Sequence, residues 1–471
     1  MKAKPFLLIA GLIGITAVAI VLATKMDAAP LAPAKSWSSK DSVLHGDVRL
    51  IQKKVLKESD GTVAVAVTLK SDPTESLDQK IRRPVDLTII LDRSGSMQGE
   101  KINYALNALQ QLIGDLDETD RLALVSYSNG ATVHSGLTAM TPDTRRRMAA
   151  TISNVQVGGG TNLGAGLLAG IDLMVRSEDI LTVRHLLVIS DGLVNQGLTD
   201  PSGLGQIVAD IGNRSISVGT VGVGRDFNEQ LMTLLADRGQ GRYYYLENPA
   251  AFAGLFKEEY RSLRSILATD VSLSIKTGRD ISLIDAAGYP VKVKDGTIQI
   301  QPGIIKAGDT RTLYLTFKVP THKIGTISLG QMMLSYRYKG NTHNISLGPK
   351  LSLACVADPK DVWASIEKNS WTQKVLENDY NQLKKEVAMD IAQGDEDRAM
   401  ERIESYRNRQ AELNAVIGSK EVEANIEHDL KDLNRKVSET FTGAPKQVHL
   451  KQKSVSKSLH YDGYRGQRSV K

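Results

Sequence analysis

The chain has 471 residues, enough for more than one domain, and its 41% hydrophobic and 24% charged content excludes a disordered polymer. One cysteine, Cys355, excludes an internal disulfide, and its alternating neighbours Leu351 and Leu353 predict a buried thiol on a strand. The formal charge of +6 sits in residues 445–471, where seven Lys and Arg face the single Asp462, so the rest is formally neutral and the pI near 9.0 is weak support for nucleic-acid binding.

Taken in chain order, residues 1–35 read as a membrane anchor and linker. Lys2 and Lys4 precede an uncharged run over 6–23, which as a helix spans roughly 27 Å against a bilayer core of about 30 Å. That is longer than the apolar core of a signal peptide, and the small-x-small site Ala32-Pro33-Ala34 lies far from it. An uncleaved single-pass anchor in the cytoplasmic membrane is predicted, with the bulk of the chain outside the cytoplasm. Secretion after signal cleavage is the alternative. Residues 26–36, rich in Ala and Pro, read as an extended linker.

Residues 36–82 carry two strands, 45–53 and 61–70, joined by Ser59-Asp60-Gly61. From 83 to 264 strand-like runs (84–91, 121–127, 184–190, 215–223, 242–246) alternate with helical segments (98–114, 143–153, 163–176, 201–213, 228–237, 249–264). Such alternation predicts an α/β fold with a doubly wound, mostly parallel sheet. Residues 265–357 return to strands (270–276, 280–285, 291–294, 297–301, 311–318, 326–338, 343–356), as in an antiparallel β-sandwich. The strands at 45–70 have no other obvious sheet and are assigned to it, which would make the α/β unit an insertion. Residues 358–443 are helical, 359–392, 395–417 and 420–441, with Gly394 and Gly418 at the breaks. Met389, Ala392, Ala399, Ile403, Tyr406, Ala411, Leu413 and Val416 form a stripe suited to a helical hairpin, packed on the molecule itself or on a partner. The basic segment 444–471 is expected to be disordered.

The chemistry collects on three loops. Asp92-Arg93-Ser94-Gly95-Ser96 follows the apolar run 85–91, Gly158-Gly159-Gly160-Thr161 opens a helix, and Ser190-Asp191-Gly192 closes the strand 185–189. In a parallel sheet the carboxyl ends of strands share one edge, so Asp92, Ser94, Ser96, Thr161 and Asp191 can converge. Hydroxyl and carboxylate oxygens suit Mg²⁺, with Mn²⁺ or Ca²⁺ as alternatives.

Asp-x-Ser-Gly-Ser, Gly-Gly-Thr and Ser-Asp-Gly, in that order over about 84–264, resemble the metal-ion-dependent adhesion site of von Willebrand factor A domains. Together with the flanking β segments they are similar to bacterial proteins described as calcium-activated chloride channel homologues and to inter-alpha-trypsin-inhibitor heavy chains. The channel label is not to be taken literally, since one segment at 6–23 cannot line a pore. The resemblance implies that Ser94 and Ser96 bind the metal directly. Thr161 and Asp191 would exchange direct for water-mediated contact, and Asp92 would bind through water or orient the hydroxyls. A partner protein's Asp or Glu carboxylate would complete the shell. The resulting expectation is a metal-dependent protein–protein interaction module of a membrane-anchored envelope protein. A scaffold in which the metal only orders loops is the second reading, and a metal-dependent hydrolase the third.

Rival motifs lack their context. Gly164-Ala165-Gly166-Leu167-Leu168-Ala169 has the letters of a dinucleotide fingerprint but lies inside a predicted helix. Ser365-Ile366-Glu367-Lys368 lacks the companion motifs of penicillin-binding enzymes. The eight histidines show no zinc spacing, and His185, at the start of a strand, reads as a packed residue. No candidate base accompanies the loops, so the chain is not expected to be an enzyme, and nucleic-acid binding is not expected of a chain placed outside the cytoplasm.

Overall fold

A computed structural model describes residues 42–73, 83–177, 182–212, 214–278 and 280–468. The chain begins with β1 (Leu44–Leu50), β2 (Lys54–Leu56) and β3 (Thr62–Ser71), then enters the α/β unit at β4 (Val85–Asp92). There follow α1 (Glu100–Asp115), β5 (Arg121–Tyr127), β6 (Ala131–Ala139), α2 (Pro142–Ser153), α3 (Leu163–Val175), β7 (Val183–Ser190) and α4 (Pro201–Gly212). The unit ends with β8 (Ile216–Val223), α5 (Glu229–Arg238), β9 (Gln240–Leu246) and α6 (Phe252–Arg264).

Its sheet runs β6-β5-β4-β7-β8-β9, parallel except at β6. Helices cover both faces, so every residue of β4 and β8 is buried. The small residues of α3 let it lie close on the sheet: a Cβ on Gly166 would stand 2.7 Å from Tyr127 Cδ1, and one on Gly170 2.5 Å from Ile90 Cδ1. This accounts for the dinucleotide-like letters as packing. The antiparallel β6 escapes the sequence reading because none of its residues is buried and it carries no alternation.

Beyond α6 come β10 (Ile266–Lys276), β11 (Ser282–Asp285), β12 (Val291–Lys294), β13 (Thr297–Ile300), β14 (Ile305–Lys306) and β15 (Thr310–Lys318). Then follow β16 (Gly325–Gly330), β17 (Met332–Tyr338), β18 (Asn341–Ser346) and β19 (Leu351–Val356). The runs 326–338 and 343–356, read as single strands, are each two. Gly330 breaks the first at φ 109, and Gly348, at φ 97, lies between the halves of the second. One sheet has the order β1-β3-β15-β11, in which Val67 stands opposite Leu313 although the whole α/β unit lies between them in sequence. Facing it, β12-β13-β10-β17-β18 completes a core that includes Leu273, Leu334 and Phe317. Cys355 is buried in it.

The remainder is helical: α7 (Pro359–Trp363), α8 (Lys368–Gln373), α9 (Tyr380–Gln393), α10 (Glu396–Ile417), α11 (Lys420–Ala424), α12 (Leu430–Phe441) and α13 (Pro445–Gln467). Gly394 and Gly418 end α9 and α10 in the left-handed conformation. Of the predicted stripe, Ala399, Ile403, Tyr406 and Leu413 are buried, whereas Met389 and Val416 are exposed.

Two expectations are corrected. The segment expected to be disordered is the helix α13, because Leu459, His460 and Tyr464 find buried positions against α9 and β9. Among the described residues no helix is long and apolar enough to cross a membrane, so the predicted single-pass location is not upheld. The run 6–23 on which that prediction rested, and the linker 26–36, lie outside the described residues.

Candidate functional site

Asp92 is the last residue of β4 and Asp191 follows the last residue of β7, its neighbour in the sheet. Both are fully buried. The Ser94 N–H donates to Asp92 Oδ1 at 2.8 Å and the Ser190 hydroxyl to Oδ2 at 3.0 Å, so both oxygens of Asp92 are fixed. Burial pushes the Asp92 carboxyl above its ordinary range and the nearby Asp191 charge adds to that, while the Ser94 hydrogen bonds oppose it. A site that places two carboxylates together out of water is costly unless positive charge is supplied.

The hydroxyls lie between these two groups. Ser94 Oγ and Ser96 Oγ are 3.0 Å apart, and Ser96 Oγ donates to Asp191 Oδ1 at 2.7 Å. Lys101, on the first turns of α1, donates to Asp191 Oδ2 at 2.5 Å and to the Ser96 carbonyl at 3.3 Å. Thr161 reaches the same place from the glycine loop, its N–H held by Asn195 Oδ1 at 2.9 Å. Gly192 is what allows this convergence. A Cβ there would stand 3.2 Å from Ser96 Oγ and 3.6 Å from Thr161 Oγ1.

Backbone bonds tie the loops directly. Gly95 N–H donates to the Gly159 carbonyl at 3.1 Å and Gly158 N–H to the Arg93 carbonyl at 2.8 Å. Gly159 adopts φ 85, which a side chain would resist.

The structure thus brings Asp92, Ser94, Ser96, Thr161 and Asp191 to one sheet edge. Sequence reasoning missed Lys101, Ser190 and Asn195 as participants. Lys101 lies five positions after Ser96, and that spacing is the one local signal for it. Asn195 carries none. This hydroxyl-rich edge is the candidate cation site; among the described residues no group of three or more His, Cys, Asp or Glu is placed to hold a metal ion. His185 is a packed residue, bonded to Ser217 Oγ at 2.7 Å and beside Glu259.

Ser96, Thr161 and Gly192 also form part of a cleft of ≈ 600 Å³. Lys453, Ser456 and Lys457 of α13 line it too. Lys453 pairs with Asp226 at 2.7 Å, and Lys457 bonds Glu229 at 2.6 Å and the Phe227 carbonyl at 2.9 Å. The helix therefore stands beside the site.

Residues 86–258 match the family model of the von Willebrand factor type A domain. Protein sll0103 of Synechocystis sp. is 26% identical over 58% of this chain and 66% of its own length. Protein YfbK of Escherichia coli is 27% identical over 41% of this chain and 33% of its own. Inter-alpha-trypsin inhibitor heavy chain H3 of Rattus norvegicus is 26% identical over 50% of this chain and 27% of its own. The matches therefore span less than two thirds of each relative. Among solved structures, a von Willebrand factor type A protein from Catenulispora acidiphila superposes with TM-score 0.69 at 16% identity, covering 92% of this chain and 99% of that one. The ArnB paralog VWA2 from Sulfolobus acidocaldarius superposes with TM-score 0.53 at 15% identity, covering 90% and 99%. Both likenesses concern the fold.

Proposed function

Because residues 86–258 form a von Willebrand factor type A domain, we propose that this protein binds a partner protein through a divalent cation held by Asp92, Ser94, Ser96, Thr161 and Asp191. The carrying observation is that three hydroxyls and two buried carboxylates from three loops meet at one edge of the sheet. The donor set fits a hard cation, Mg²⁺ first, since every donor is oxygen. Bound there, the cation would offer a coordination position to an Asp or Glu carboxylate of the partner. Asp92, fixed by Ser94 and Ser190, orients the serine loop, and Gly192 keeps the space between Ser96 and Thr161 clear.

The interaction reading is favoured over a cation that only orders loops. The Gly95–Gly159 and Gly158–Arg93 backbone bonds already join two of the loops without using a candidate ligand oxygen. The cleft beside the site favours a protruding partner segment over a flat surface.

Asp92→Ala is expected to remove Mg²⁺ binding measured by titration calorimetry, a loss of about a hundredfold or more, with the circular dichroism spectrum retained. Thr161→Ala serves as a second variant should Asp92→Ala misfold. Chelator is expected to release a partner captured by the native protein. Capture that is equal with and without chelator would refute the reading.

A further inference from the structure

A second cavity, of ≈ 670 Å³, lies where the α/β unit, the β-sandwich and α13 meet. It is lined by Arg242 and Tyr244 of β9, by Lys306 of β14 and by Tyr461, Tyr464 and Arg465 of α13. Arg242 and Tyr244 flank the middle of β9, whereas the cation site stands at the carboxyl ends of β4 and β7. Nothing in the proposed metal-dependent interaction uses this cavity.

Its charges do not cancel. Among the lining groups, Arg468 is taken up by Asp237 at 2.9 Å and by the carbonyls of Ala287 and Gly288. Arg311 spans the Pro302 and Ile304 carbonyls and stands 3.7 Å from Asp309. Setting these pairs aside leaves the cations Arg242, Lys306 and Arg465 against the carboxylate of Glu258. Glu259, whose charge also acts on Arg242 and Lys306, is bonded to Tyr244 and adjoins His185. The Lys306 ammonium has no hydrogen-bond or ion-pair partner among the described residues. Burial, and then the charge of Arg242, bring its pKa down to about 8, with the charges of Asp309 and Glu259 opposing. A fold that holds such cations together in a cavity is arranged to receive negative charge.

The α13 side of the cavity carries aromatic rings. Tyr461 and Tyr464 present rings, and the Arg465 guanidinium lies 5.9 Å from the Tyr461 centroid. Ligand pockets commonly measure about 300–1,000 Å³, a range that includes this one and exceeds what a bare phosphate needs.

We propose that this cavity binds a phosphorylated small molecule carrying an aromatic or heteroaromatic ring, its phosphate at Arg242 and Lys306 and its ring beside Tyr461. Such a ligand would bridge β9, the sandwich and α13, fixing the helix that flanks the cation site.

The experiment is calorimetric titration of the full chain with the common nucleoside monophosphates, the matching nucleosides and inorganic phosphate. At least one monophosphate is expected to bind saturably, more tightly than its nucleoside and than phosphate. Lys306→Met is expected to weaken it about tenfold, the scale of a charge-assisted hydrogen bond, and the exposed Arg465→Met serves as a second variant should the first misfold. Asp92→Ala is expected to leave this binding unchanged, which separates it from the cation site. Three results would overturn the proposal. They are no saturable binding by any monophosphate up to roughly 10 mM, inorganic phosphate binding as tightly as the monophosphates, and undiminished affinity in both folded variants.

Discussion

The serine-loop edge and the α13 seam stand side by side and are built on opposite plans. At the edge, Asp92, Ser94 and Ser96 come from a single turn, and the β4–β7 pairing brings Asp191 to them. At the seam, Tyr464 bonds Asp237 and the Tyr243 N–H, partners more than 220 positions away, and Lys457 bonds Glu229 across a similar distance. The edge is specified by local chain geometry at a strand end. The seam is specified by long-range complementarity, so it is the part expected to open first under stress.

The largest way to sharpen this contrast is Tyr464→Ala. Tyr464 is buried and packs edge-on to Tyr243 at 5.5 Å. Its loss is expected to weaken α13 docking by about 3–5 kcal/mol, as for other large aromatic truncations. Hydrogen exchange over 445–467 reads this, and Mg²⁺ affinity at the edge should not change. A parallel loss of Mg²⁺ affinity would break the comparison by showing the two regions to be coupled.

Acid should act on the seam next. His460 is held at about 4, mainly by burial, with Lys385 and Lys457 adding and Glu229 opposing. Its folded pKa lies below the unfolded value of 6.5, so its contribution is complete above pH 6.5 and is lost as pH falls toward 4. The shift corresponds to roughly 3 kcal/mol. Exchange of α13 measured between pH 7 and pH 4.5 is expected to accelerate in the native chain and to change much less in His460→Phe.

At the edge, Lys101→Met removes the ammonium from Asp191 Oδ2. Mg²⁺ is expected to bind about tenfold tighter, or about 1.4 kcal/mol, because the freed carboxylate oxygen no longer has an internal cation. An unchanged affinity in calorimetry would place Lys101 outside the site's energetics. The smallest effect is expected from Lys453→Ala. The Lys453–Asp226 pair is largely exposed, so its loss should cost under about 1 kcal/mol in a urea melt. A larger loss would mean that the seam depends on ion pairs more than on Tyr464.

Legibility followed the same division. The strand ends carrying Asp92 and Asp191 were readable because an uninterrupted apolar run can satisfy a sheet buried on both faces and little else. The glycine loop was readable because it runs directly into the helix α3. Strand β6 was not, since its residues are all half-buried or exposed and give no periodic signal. The helix 445–467 was not, because its basic composition resembles that of a solvated tail and nothing local says that Lys457 meets Glu229. In the sequence Lys101 is one residue of a helical run, and only the approach of β7 to β4 shows that its ammonium meets Asp191.

By itself, then, the sequence determined the α/β alternation and the three loops, because both arise from periodicity and turn chemistry over a few consecutive residues. Tertiary structure alone decided that α13 docks beside those loops, that β3 pairs with β15 across the intervening domain, and that Arg242, Lys306 and Arg465 share one cavity. Each of these is a contact between segments far apart in the chain, and such contacts depend on shape and charge matching that short-range pattern does not encode.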